Sequence, residues 1–138
     1  MSLYSFVEAL HVIVAVGGLG QLAAIPLIAG NPEWGNVALL KRMLLGASGS
    51  LVVMLLTGIW LLGLEDWTMA HAGWFSASMM LFLAMGALLG ISRGTLKKIV
   101  VSNVPFSKSP LAGRLRALTT WASIALVLIV FLMEAKPF

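Results

Sequence analysis

Two residues near the start of the chain have the types and spacing for chemistry. Glu8 and His11 lie inside the apolar stretch "SFVEALHVIVAVGGLGQLAAIPLIAG", residues 5–30. Ionisable groups within a membrane segment are costly, so they mark sites or compensated pairs. The i, i+3 spacing puts both side chains on one helix face. Ala15 and Gly18 continue that face below the imidazole, which leaves space for something flat, such as a porphyrin. Glu8 would then stand behind His11 as a hydrogen-bond partner that orients the ring. The alternative is a tight helix seam in which His11 bonds a neighbouring Ser, Thr or carbonyl. His71 is the second of the chain's two histidines and a further candidate metal ligand, although it falls nearer the water interface than His11. Met79 and Met80 stand closer to the depth of His11, where a thioether can ligate haem iron. His11, Met79 or Met80, with His71 or Glu8, would also suit copper, since thioethers and imidazole are ligands it favours. With no cysteine in the sequence, thiolate ligands, disulfides and cysteine catalysis are excluded. Phosphate-binding glycine loops, zinc-ligand spacings and serine nucleophiles beside a base do not occur either.

The elements that carry these residues follow from composition. Of 138 residues, 60% are hydrophobic and only 10% charged, with a mean hydropathy of +1.02. A soluble domain has about 25% charged residues, so the chain reads as an integral membrane protein. At about 20 apolar residues per span, it divides into four transmembrane helices, at about 4–28, 43–64, 73–92 and 111–134. Together they form a single all-α domain, a four-helix antiparallel bundle with short connections. Gly30-Asn31-Pro32 should stop the first helix and Pro26 bend its last turns. Asp66 should cap the third helix, and Ser109-Pro110 should open the fourth as N-cap and first residue. Gly86 and Gly90 form a GxxxG pattern suited to close packing within the bundle or to a homodimer face.

Charge gives an orientation. Eight of the nine Lys and Arg residues fall in the first and third connections, and Lys136 is the exception. The positive-inside rule puts those connections in the cytoplasm and both termini outside, and the expected location is a bacterial inner (plasma) membrane. The pI near 10.0 is thereby explained by topology, with no nucleic-acid partner implied. The connection from Arg93 to Arg116 is basic with interspersed apolar residues and should lie against anionic lipid. A homo-oligomer or a partner membrane subunit would suit a bundle of this size.

Four short stretches carry a resemblance. "ALHVI" (9–13), "TGIWLL" (57–62), "GWFSAS" (73–78) and "AKPF" (135–138) together resemble the four-helix membrane proteins around HemJ-type protoporphyrinogen oxidase and the CopD-like copper-resistance membrane domains. The resemblance spans the whole chain. It implies the same bundle, with His11 matching the first-helix histidine linked to haem b in HemJ-type enzymes. Those enzymes also have a functional lysine early in the third helix, which would fall at Ser78. Serine cannot ligate haem or carry positive charge, so the resemblance transfers the fold and the role of His11, and not the oxidase activity. Three functions follow: a haem b or related tetrapyrrole protein in electron transfer or oxidation of a lipophilic substrate, a non-catalytic subunit or scaffold, and a copper-handling or transport module of CopD type.

Overall fold

In a computed structural model, which describes residues 1–30 and 37–137, with Ser107 described by its backbone only, the chain is an all-α four-helix bundle. Its spans are Leu3–Ala29, Val37–Leu64, Gly73–Val101 and Pro110–Ala135, each long and apolar enough to cross a bilayer. The expected stop at Asn31 and Pro32 lies outside the described residues.

The second and third spans are longer than hydropathy suggested. Lys41 and Arg42 lie in the opening turns of the second helix, and Arg93, Lys97 and Lys98 in the closing turns of the third. Aliphatic stems let lysine and arginine ride on a helix past the hydrocarbon edge, so charge does not end the helix. The basic connection between the third and fourth spans therefore shrinks to residues 102–109.

Two of the anticipated helix signals behave differently from each other. Ser109 Oγ accepts a hydrogen bond from Leu111 N at 3.3 Å, and Pro110 opens the fourth helix. Asp66, by contrast, does not cap the third helix, which begins at Gly73 after Ala72 with no side-chain cap. Asp66 instead closes the second helix from a left-handed conformation, with φ 53. Trp67 N bonds Leu62 O at 2.9 Å and Asp66 N lies 3.4 Å from Gly63 O, the paired bonds of a Schellman ending.

The first span is one helix with an irregular middle. Leu3–Val14 is α-helical, Ala15–Leu19 is a π turn, Gly20–Ala23 is a 3-10 turn, and Ala24–Ala29 returns to α. The irregularity precedes Pro26, which lies within the regular last segment. Pro26 has no N–H for the carbonyl of Leu22, four residues earlier. That carbonyl instead shares the Ser123 hydroxyl of the fourth span, 2.9 Å away, with Thr119 O at 2.8 Å, so a proline defect becomes an interhelical bond.

Packing is uneven along the bundle. Leu22, Ile25, Leu40, Leu44, Met85, Leu89 and Leu115 form a dense core around the basic end. There Gly20–Ala29 closes the ring against the fourth span, whereas Leu3–Val14 rests chiefly on the second span. A cleft is left on its other side, toward the third and fourth spans. The outer faces are apolar, with Val16 73% and Val127 67% exposed, as a lipid-facing surface requires.

Candidate functional site

The cleft holds about 260 Å³ and is lined by all four spans, a little under the usual range for ligand pockets. His11 reaches it from the first span, roughly 12 Å along the helix from Leu3 at 1.5 Å per residue. Its ring turns toward the second span. Nδ1 lies 2.6 Å from Thr57 Oγ1, and Cε1 sits 3.5 Å from where a Cβ on Gly58 would be. The Thr-Gly pair of "TGIWLL" thus seats the imidazole, threonine through its oxygen and glycine by leaving room for the ring.

The hydrogen bonds of Thr57 favour one tautomer of His11. Thr57 has one hydroxyl hydrogen, and it is donated back along the helix to Val53 O at 2.8 Å, with Met54 O at 3.2 Å. The Thr57 oxygen is then the acceptor and His11 Nδ1–H the donor. Nε2 keeps its lone pair, is bonded by no described residue, and is not a sealed atom. This is the threonine bond expected of a helix seam, and it leaves Nε2 without a partner among the described residues on a side chain that lines an apolar cleft.

Glu8 lines the cleft but makes no bond to His11. Sharing a helix face fixes neither side chain's direction. The imidazole turns toward Gly58 while the carboxylate stays exposed. The acid engaged at this end is Glu65, whose Oε1 accepts from Tyr4 Oη at 2.8 Å. Tyr4 was not foreseen, although it stands at i−4 from Glu8 on the same stripe.

The third span contributes Trp74, Phe75, Ser78, Met79 and Phe82 to the lining. Trp74 and Phe75 meet edge to face, with centroids 6.1 Å apart at 84°. Ser78 is buried and its hydroxyl donates to Trp74 O at 2.9 Å. Lys136 Nζ lies 5.5 Å from the Trp74 ring centroid, within reach of a cation–π attraction. It is the one Lys or Arg at this end among the described residues. Residues of the stretches 9–13, 57–62 and 73–78, far apart in sequence, line this cleft, and Lys136 joins them at Trp74.

Three expected site residues lie elsewhere. Met80 is 69% exposed, because adjacent helix positions point about 100° apart and Met79 takes the inward direction. His71 ends the 3-10 turn Thr68–His71, is exposed and does not line the cleft. Gly18 offers no space for a flat ligand, since a Cβ there would run into Ser50 of the second span. Its role is close helix approach. Among the described residues no three His, Asp or Glu side chains gather as a metal site. Three further methionines, Met54, Met69 and Met133, line the cleft with Met79. Compared with known proteins, the chain matches no family model, no curated protein and no solved structure.

Proposed function

We propose that the cleft beside His11 holds haem b or a related tetrapyrrole, and that the protein serves electron transfer or the oxidation of a lipophilic substrate. The observation that carries this reading is the divided use of the imidazole, Nδ1 bonded to Thr57 and Nε2 without a partner among the described residues, on a ring that lines an apolar cleft. Metal-binding histidines characteristically donate their other ring N–H to a fixed acceptor. The remaining residues fit such a group. Trp74, Phe75 and Phe82 give flat apolar walls, Met79 offers a thioether as second ligand, and Lys136 offers an ammonium to an acidic side arm. The cleft is open on one side, so part of a larger ligand can project from it. When bound, the group would supply the one-electron chemistry. The chain orients it through His11, excludes water with its apolar walls, and keeps Tyr4 and Glu65 hydrogen-bonded at the mouth. The charge asymmetry supports a cytoplasmic basic end and external termini in a bacterial plasma membrane.

Gently purified protein should show a Soret band that His11→Ala removes. A colourless protein from haem-replete cells would refute the reading and leave a structural role as subunit or scaffold. We do not extend the proposal to protoporphyrinogen oxidation, because Ser78 is neutral and its hydroxyl is already committed to Trp74 O. Expression in a host lacking its own oxidase should leave haem synthesis unrestored. Rescue would show that another group, with Lys136 the nearest ammonium, takes the lysine's part.

One observation favours a second reading. Met54, Met69, Met79 and Met133 share the cleft with His11, and Glu8 and Glu65 stand at its acidic mouth. Thioethers with one imidazole suit Cu(I), as a copper-handling module of CopD type would need. Elemental analysis separates the two readings, since this one requires near-stoichiometric copper and no iron.

A further inference from the structure

A second cavity lies between the second and third spans, at the end remote from His11. It is a groove of about 460 Å³ whose lining includes Lys41, Arg93 and Lys97 together with Leu44, Gly90 and Gly94. The three cations are exposed, and none pairs with a carboxylate among the described residues. Arg93 and Lys97 are one turn apart on the third helix, and Lys41 joins them from the opening turns of the second. Three like charges around one hollow repel one another unless an anion is shared between them.

The glycines are equally informative. A Cβ added at Gly90 or Gly94 would meet nothing within 4 Å, so this part of the pattern is not a seam where two backbones touch. It is an open slot. Gly90 lies roughly 10 Å deeper along the helix than Lys97, which puts apolar space below a charged rim.

We propose that this groove is a specific site for an anionic glycerophospholipid. Its phosphate is held by Lys41, Arg93 and Lys97, and one acyl chain lies over Gly90 and Gly94 beside Leu45, which is exposed in the groove lining. Charge selects this occupant over a second copy of the chain. A two-fold contact through the same face would set a second Lys41, Arg93 and Lys97 against the first. Basic grooves between membrane helices are established sites for acidic headgroups, and here the slot beneath the cations accounts for the chain as well.

The test is native mass spectrometry of the purified full chain in a neutral detergent, titrated with dioleoyl phosphatidylglycerol or dioleoyl phosphatidylcholine. The parent should retain the anionic phosphatidylglycerol in preference to the zwitterionic phosphatidylcholine. Each cation near an anionic group contributes about fivefold, so the combined Lys41→Gln, Arg93→Gln, Lys97→Gln variant should bind roughly a hundredfold more weakly. Gly90→Leu with Gly94→Leu should also lose the lipid while keeping every charge. Lys98→Gln, Lys108→Gln and Arg114→Gln together, an equal change of charge outside the groove, should retain it. Equal weakening by the two charge sets, no preference between the lipids, or a two-chain species that the leucine pair dissociates would each overturn the proposal.

Discussion

Replacing Thr57 by valine keeps the side chain's shape and deletes one oxygen, the acceptor 2.6 Å from His11 Nδ1. Two effects follow, of different sizes. Interhelical hydrogen bonds in membranes contribute about 0.6 kcal/mol and at most about 1.7, so Thr57→Val should lower unfolding stability by roughly that amount. Removing the group that orients a ligating histidine typically costs about 10- to 100-fold in affinity, or about 1.4–2.8 kcal/mol. The ligand effect should therefore exceed the stability effect. Titration of haem-depleted protein with haemin, followed in the Soret region, measures the first, and unfolding in mixed detergent measures the second. Thr57→Ser retains the oxygen and should remain close to the parent in both. Unchanged haemin affinity in Thr57→Val would refute the claim that this hydroxyl sets the ring. A serine variant as weak as the valine one would show that the methyl contact, not the oxygen, matters. A loss of stability in a protein that never binds haemin would return the pair to a purely structural role.

Gly18→Ala should destabilise the bundle by about 1–3 kcal/mol through overpacking, because the new Cβ meets Ser50. Adding Ser50→Gly should recover most of the loss, and thermal unfolding of the parent and the two variants checks this. Ser123→Ala should cost about 0.6 kcal/mol, because the hydroxyl that Leu22 O loses is shared with Thr119 O. In a Pro26→Ala background the restored N–H can serve that carbonyl, so the same change should cost less, a non-additivity that a double-mutant cycle measures directly. For orientation, Lys98→Cys should resist an impermeant thiol reagent in intact cells and Pro137→Cys should react, with no native cysteine to interfere. The reverse pattern would place the His11 cleft on the cytoplasmic side.

Hydropathy located all four spans, because the bilayer imposes length and apolarity on any helix that crosses it. It placed the ends of the second and third poorly, because charged residues whose stems suit a membrane surface were read as loop. At the site, the rarity of a histidine in an apolar run was enough to single out His11. Its partner was not legible from nearby sequence. A Ser, Thr or carbonyl partner across a helix seam is one of the two expectations the sequence supports, and the bond does go to a threonine, but nothing near His11 points to Thr57, 46 positions along the chain. Choosing between Met79 and Met80 required the helix's rotation about its axis, which short motifs do not supply. Gly18 carried the opposite lesson, since a small residue means space only when no neighbouring helix has already filled it.

The position of the irregular stretch explains how one helix serves two purposes. A π turn underwinds the backbone and a 3-10 turn overwinds it, so the successive turns Ala15–Leu19 and Gly20–Ala23 offset each other in rotation. His11 and Leu22, 11 residues or about three turns apart, therefore stay on one face. That face does different work on either side of the irregularity. Below it, Leu22 is fully buried and its carbonyl is tied to Ser123, which locks the helix to the fourth span. Above it, Leu3–Val14 rests on the second span, where Thr57 and Gly58 hold the imidazole. A regular helix packed this tightly throughout would close the cleft with side chains, and one packed this loosely throughout would lose its core. Gly17, Gly18 and Gly20 lie within the transition, and only the middle one sits against a neighbouring helix. The transition lets a stable bundle retain an accessible site at one end.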